Sequence, residues 1–108
     1  MAGEITPREA AERIVERPES IVLLDVREDI ERATATIDGS IHIPMGQIPG
    51  RIHEIPRDRD LIVYCHHGSR SMMVAEYLEG EGFDRVLNLT GGIDAWSVRV
   101  DPKVPRYG

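Results

Sequence analysis

The sequence predicts one α/β domain built on a mainly parallel central sheet of about five strands, with helices on both faces. Three observations predict it. Short apolar runs at 20–26, 61–65 and 85–89 alternate with segments of helical character. These runs are not cleanly two-sided, so both faces of the sheet must be covered, as happens when parallel strands are joined by crossing helices. The chain's 108 residues, 41% of them hydrophobic, suffice for one modest core and are too few for two. The domain is expected to span 1–108, with its core at about 5–98 and an extended tail at 99–108.

Each element has a local cause. Thr6-Pro7-Arg8-Glu9 opens a helix: Thr6 caps it, Pro7 suits the first turn and Glu9 completes a capping box. Ala10 and Ile14 give that helix an apolar face up to about Arg17, and Pro18 stops it. "SIVLLDV" at 20–26 reads as a buried strand, "REDIERATAT" as polar and helix-compatible, and Asp38-Gly39 as a turn. "SIHIP" at 40–44 is a short strand closed by proline. Residues 45–56 are broken by Gly46, Pro49, Gly50 and Pro56 and hold one short helix at most. "RDRD" at 57–60 is a solvated approach to the strand "LIVYC". Residues 69–81 form a helix with Met72, Met73, Ala75, Tyr77 and Leu78 as its inner face, ended by Gly82 at C′. "RVLNL" at 85–89 is a strand, and "TGGIDAW" begins a last short helix.

Composition excludes several functions. A net charge of −6 argues against nucleic acid or an anionic membrane as the main partner. One cysteine excludes an internal disulfide framework and a zinc site of the CxxC type. His42 and His53 have no ligand-spaced neighbours, so no metal site is expected. No apolar stretch approaches the ~20 residues that span a bilayer, and the N-terminus lacks the layout of a signal peptide. A cytoplasmic location is the default expectation. Residues 51–71 differ from the rest: four Arg against three Asp or Glu, plus three of the four histidines. That local excess is a mild hint of an anionic ligand.

The chemistry is concentrated in "YCHHGSRS" at 64–71. Ligands of parallel sheets bind beyond the carboxyl ends of strands, and Cys65 stands at such an end. The chain must then turn into a helix within a few residues, which leaves successive backbone N–H groups pointing inward over the helix start, an anion cradle. Gly68 supplies the residue of positive φ that a curled loop needs. A cysteine held there has a lowered pKa and a reactive thiolate. Arg70 adds a fixed positive charge, and the Ser69 and Ser71 hydroxyls can donate hydrogen bonds or cap the helix. The alternative is a lone cysteine serving as a small buried apolar residue.

"YCHHGSRS" resembles the active-site loop of the rhodanese-like sulfurtransferases, in which the cysteine carries a persulfide. "LLDVRE" at 23–28 resembles the family's Asp-x-Arg segment, "DGSIHIP" at 38–44 its next motif, and "NLTGGIDAW" at 88–96 its glycine pair and tryptophan. The likeness covers roughly residues 5–107. It implies that Cys65 takes the outer sulfur of a donor such as thiosulfate and passes it to an acceptor: cyanide in vitro, a thiol or a sulfur-carrier protein in the cell. No cofactor is implied beyond that covalent intermediate. Arg70 and the loop residues His66, His67, Gly68, Ser69 and Ser71 would bind the donor, with the histidines shaping the rim. Asp25 and Arg27 would support the site, and Trp96 would serve as core or as a wall of the pocket. A monomer or weak dimer is expected. The chain departs from the family at Ala35-Thr36-Ile37, where Gly-His-Ile is usual, and at Ser40, where Ala is usual; these changes bear on the rim and on substrate preference.

Two other functions share these features. Phosphatases and arsenate reductases of related fold use a Cys-x5-Arg loop. This chain has Cys-x4-Arg, and the smaller ring suits a single persulfide sulfur better than a tetrahedral oxyanion. Non-enzymatic modules of the same fold commonly lack the cysteine, which is present here. A binding or sensing role is the remaining alternative.

Overall fold

A computed structural model describes residues 2–108. Five parallel strands, β1 (Gly3–Ile5), β2 (Ile21–Asp25), β3 (Ile41–His42), β4 (Asp60–Tyr64) and β5 (Val86–Leu89), form one sheet in the order β1-β5-β4-β2-β3. The helices are α1 (Pro7–Glu16), α2 (Asp29–Thr34), α3 (Ile48–Arg51), α4 (Ser69–Gly80) and α5 (Gly92–Arg99). The expected α/β class and sheet are therefore found. β1 is the strand that pattern reading did not locate, since three residues carry no readable period. It exists because β5 offers it a partner, Ile5 lying opposite Leu89.

The local signals act as expected at several ends. Thr6 and Glu9 close a reciprocal capping box at α1, at 3.1 and 3.2 Å. α4 ends in a Schellman turn: Gly82 at φ 96° donates to Glu79 O, and Phe83 N donates to Leu78 O. Residues 45–56 hold the four-residue α3 between two turns of 3₁₀ helix. β3 is shorter than the expected strand at 40–44, although its ladder continues as Ile43 N to Asp25 O and Met45 N to Val26 O.

Alternate residues of each strand point to opposite faces. Val22, Leu24, Val63 and Cys65 pack on one face against Val74, Ala75 and Leu78 of α4 and Ile48 of α3. Leu23, Ile62, Tyr64 and Leu89 pack on the other against Ala10 of α1 and Ile93 and Trp96 of α5. Each fully buried Leu or Ile contributes about 1.5–3 kcal/mol relative to exposure. On α4 the buried stripe is Ser71, Val74, Ala75 and Leu78, with Met72 partly buried. Met73 (63% exposed) and Tyr77 (40%) face outward, which corrects their assignment to the inner face; they lie one position off that stripe. The tail has no regular structure, yet Val104 is buried in the second core. Among the described residues, no helix is long and apolar enough to cross a membrane.

From β2 the chain runs outward to β3, and from β4 it runs the opposite way to β5. The switch point lies between β2 and β4, and a cleft is expected beyond their carboxyl ends. Asp25 and Arg27 leave β2 there, and Cys65 leaves β4.

Candidate active site

Cys65 is the first residue after β4 and is 1% exposed. Gly68 follows at φ 109° and acts as the cap of α4, so the helix begins without a side-chain cap from Ser69 or Ser71. The curl brings Gly68 N to 3.1 Å and Ser71 N to 3.4 Å of the Cys65 Sγ, and Ser71 Oγ to 3.3 Å. Burial opposes the thiolate and is the largest single effect. It is outweighed by the Ser71 hydroxyl and the backbone N–H groups of Ser71, Gly68 and Arg70, so the thiol pKa lies below its ordinary value.

Ser71 is fully buried, and its hydroxyl has a second acceptor, Asn88 Oδ1 on β5. One hydroxyl proton serves one acceptor at a time. The Asn88 amide in turn donates to Gly68 O at 3.1 Å and to Glu4 Oε1 at 3.2 Å, which ties the loop to β5 and β1.

The far side of the loop rests on α5. Ile93 N donates to Cys65 O and Asp94 N to His66 O, at 2.9 and 3.1 Å. Gly92 makes this approach possible: a Cβ there would come within 2.5 Å of Cys65 O and closer still to His66 O.

Two networks, one buried and one half-buried, surround the loop. Asp25 and Arg27, both fully buried, form a bidentate pair, and Arg32 reaches Asp25 at 3.2 Å. Burial works against the Asp25 carboxylate, but the Arg27 side-chain and backbone donors hold its pKa below the usual range. The remaining Arg27 donors go to Ala35 O, Glu31 O and Tyr107 Oη. The second network is built on Glu31 of α2. Its oxygens take the Arg70 guanidinium at 2.7 and 2.9 Å, the Tyr107 hydroxyl at 2.8 Å and Glu28 N at 3.1 Å. Arg70, chiefly, pulls the Glu31 pKa down to about 2. Burial, above all, pushes Tyr107 up to about 12.

A family profile described as the Rhodanese-like domain matches residues 6–99. The chain belongs to the rhodanese-like domain family. It is 41% identical over 97 residues to a sulfurtransferase of Allochromatium vinosum, covering 90% of each chain. It is 36% identical over 90 residues to the thiosulfate sulfurtransferase GlpE of Pseudomonas syringae pv. syringae, covering 83% of each. A putative sulfur carrier protein of Bacillus subtilis, YrkF, is 36% identical over 93 residues, which are 86% of this chain and 50% of that protein. The rhodanese-related protein of Thermoplasma volcanium superposes with a TM-score of 0.84 at 30% identity, covering 97% of this chain and 99% of that one.

Within this rhodanese-like chain the expected site residues separate into groups. Cys65, Gly68 and Ser71 converge on the sulfur. Arg70 adds its backbone N–H there, while its guanidinium turns to Glu31. Ser69 is exposed at the start of α4. His66 and His67 stack on each other, and His66 stacks on Tyr107, each at a centroid distance of 3.9 Å, so they form the rim. His66 and His67 also bring ligand atoms within 4.8 Å of Asp94 and of each other. Both Asp94 oxygens are held by Arg106 at 2.9 and 3.1 Å. Trp96 packs in the core on the sheet face opposite Cys65 and lines a groove with Leu23, Ala35 and Val104, so it is core rather than a wall of the thiol site. The departures from the family pattern sit in the Arg27 and Arg32 network. Ser40 accepts from Arg32 at 2.8 Å and lies 2.9 Å from the Tyr64 hydroxyl.

Sequence reasoning missed Asn88, Glu31 and Tyr107. Asn88 carried a signal, an amide inside the apolar run "VLNL", since a buried amide needs partners. Glu31 and Tyr107 carried none, because a glutamate in a polar helix and a tyrosine in a tail are ordinary surface residues.

Proposed function

We propose that this chain is a sulfurtransferase that works through a Cys65 persulfide. The observation that carries the reading is the set of donors aimed at one buried sulfur: Gly68 N, Ser71 N and Ser71 Oγ within 3.4 Å. Donors fixed in that way stabilise a thiolate before reaction and a persulfide anion after it, at no cost of reorganisation.

With thiosulfate, the Cys65 thiolate attacks the outer sulfur. The S–S bond breaks with its electron pair going to sulfite, and Cys65–S–S⁻ remains. With a hydropersulfide R–S–SH, the thiolate takes the terminal sulfur, R–S⁻ leaves, and Cys65–S–SH forms. An acceptor thiolate or cyanide then attacks the outer sulfur and restores the Cys65 thiolate. This is covalent, ping-pong catalysis. The sulfur-carrier name borne by one relative supports a protein acceptor, and dependence on a free thiolate suits a reducing cytoplasm.

Intact mass spectrometry tests the proposal. After exposure to thiosulfate and, separately, to glutathione persulfide, the wild-type chain gains about 32 Da from at least one donor, removable by cyanide. Cys65→Ser gains nothing. A wild-type chain unmodified by both donors overturns the reading in favour of a binding module. Thiol-dependent hydrolysis of an aryl phosphate would move it to phosphate chemistry.

A further inference from the structure

The charges around Cys65 are matched in a way the sequence does not show. Arg27 and Arg32 are paired with Asp25, Arg70 with Glu31, and Arg106 with Asp94. Asn88 brings a further carboxylate, Glu4, to the back of the loop. Arg27 is fully buried, and its side-chain donors are spent on Asp25, Glu31 O, Ala35 O and Tyr107. Arg70 is the cation that belongs to the loop itself, and its side chain is 32% exposed. Both of its terminal nitrogens are given to one carboxylate in the bidentate geometry that arginine and carboxylate favour.

Glu31 is fixed in that task. One oxygen also accepts Glu28 N from the α2 capping box, and the other accepts the Tyr107 hydroxyl. Tyr107 is held by Arg27 at 2.9 Å and by the stack on His66. The carboxylate therefore cannot swing away without breaking contacts to α2 and to the tail.

We propose that Glu31 is a specificity-determining residue that masks the Arg70 guanidinium and so turns the site toward hydropersulfide donors and away from dianions such as thiosulfate. The inference rests on the sulfurtransferase reading above. A dianion approaching a thiolate needs uncompensated positive charge beside the sulfur, and pairing with the Glu31 carboxylate offsets most of what Arg70 would supply. The protonated form of a hydropersulfide, R–S–SH, carries no charge on its terminal sulfur. It needs only the loop N–H groups for the charge that moves onto the outer sulfur.

The test is a double-mutant cycle read as donor choice. The ratio of kcat/KM for thiosulfate to kcat/KM for glutathione persulfide is measured for wild type, Glu31→Gln, Arg70→Gln and the double variant. Wild type favours the persulfide. Glu31→Gln raises the ratio by about tenfold or more, the worth of a charge-assisted contact, chiefly through KM for thiosulfate, and added salt erodes the gain. The double variant returns the ratio to near that of wild type, because the freed guanidinium is gone. Tyr107→Phe, which leaves the carboxylate in place but loosens it, shifts the ratio the same way by less and stands in if Glu31→Gln does not fold. A ratio that falls in Glu31→Gln, or stays unchanged there and in Tyr107→Phe, overturns the role of Glu31 while leaving sulfur loading of Cys65 intact. Failure of both donors to load wild type removes the sulfurtransferase reading and this inference with it.

Discussion

Ser71 carries more of the site than its place in "CHHGSRS" suggests. Its backbone N–H and its hydroxyl both reach the Cys65 sulfur, and Asn88 Oδ1 on β5 is the other acceptor within reach of that hydroxyl. Ser71→Ala keeps the backbone donor and removes the other. The alkylation rate of Cys65 should then rise through its midpoint at higher pH than in wild type, and sulfur uptake at neutral pH should fall about tenfold, as for the loss of one hydrogen bond to a charged group. Unchanged profiles would leave the backbone as the whole cradle. The convergence of loop N–H groups on Cys65 was legible in the sequence, because a tight strand-to-helix loop dictates which way its N–H groups point. Asn88 was legible only as an anomaly, a polar side chain in an apolar strand, with no indication of the partner it serves.

The docking of α5 against the loop decides whether the cradle keeps its shape. The helix meets the Cys65 and His66 carbonyls with two backbone N–H groups, and Gly92 leaves room for the contact at φ 61°. Gly92→Ala should cost about 2–4 kcal/mol, since it combines a backbone clash with a strained φ. Urea unfolding reads this as a lower midpoint with an unchanged m-value. Gly80→Ala, where nothing lies within 4 Å of an added Cβ, should leave stability unchanged or raise it slightly. The glycine pair at 91–92 could be read from sequence as a helix start. That its second member abuts the carbonyls of Cys65 and His66 could not, because the two segments are far apart in the chain and no local pattern links them.

At the scale of the whole molecule, Glu31 joins α2, the thiol loop and the tail through Arg70 and Tyr107. Its carboxyl is near 4.5 when free and about 2 in the fold. A depressed carboxylate pKa stabilises the fold fully above the unfolded value, and that stability is lost as pH falls through the folded one. Stability should therefore decline between about pH 4.5 and about pH 2, and Glu31→Gln should flatten that part of the curve in urea titrations at stepped pH. A decline of equal steepness in the variant would assign acid sensitivity to the other carboxylates held low in the fold, such as Asp25 and Asp94. By itself, the sequence determined the α/β class, the helix ends at Thr6 and Gly82, and the tight strand-to-helix loop from Cys65 to Ser71. All of these follow from capping, hydrophobic period and turn geometry, which act over a few residues. The tertiary structure alone decided the strand at Gly3–Ile5, the outward face of Met73 and Tyr77, the place of Trp96 in the core away from the thiol, and the partner of Arg70. A three-residue strand exists through its neighbour, and a surface-type glutamate and a tail tyrosine become part of the site only when the fold brings residues 31, 70 and 107 together.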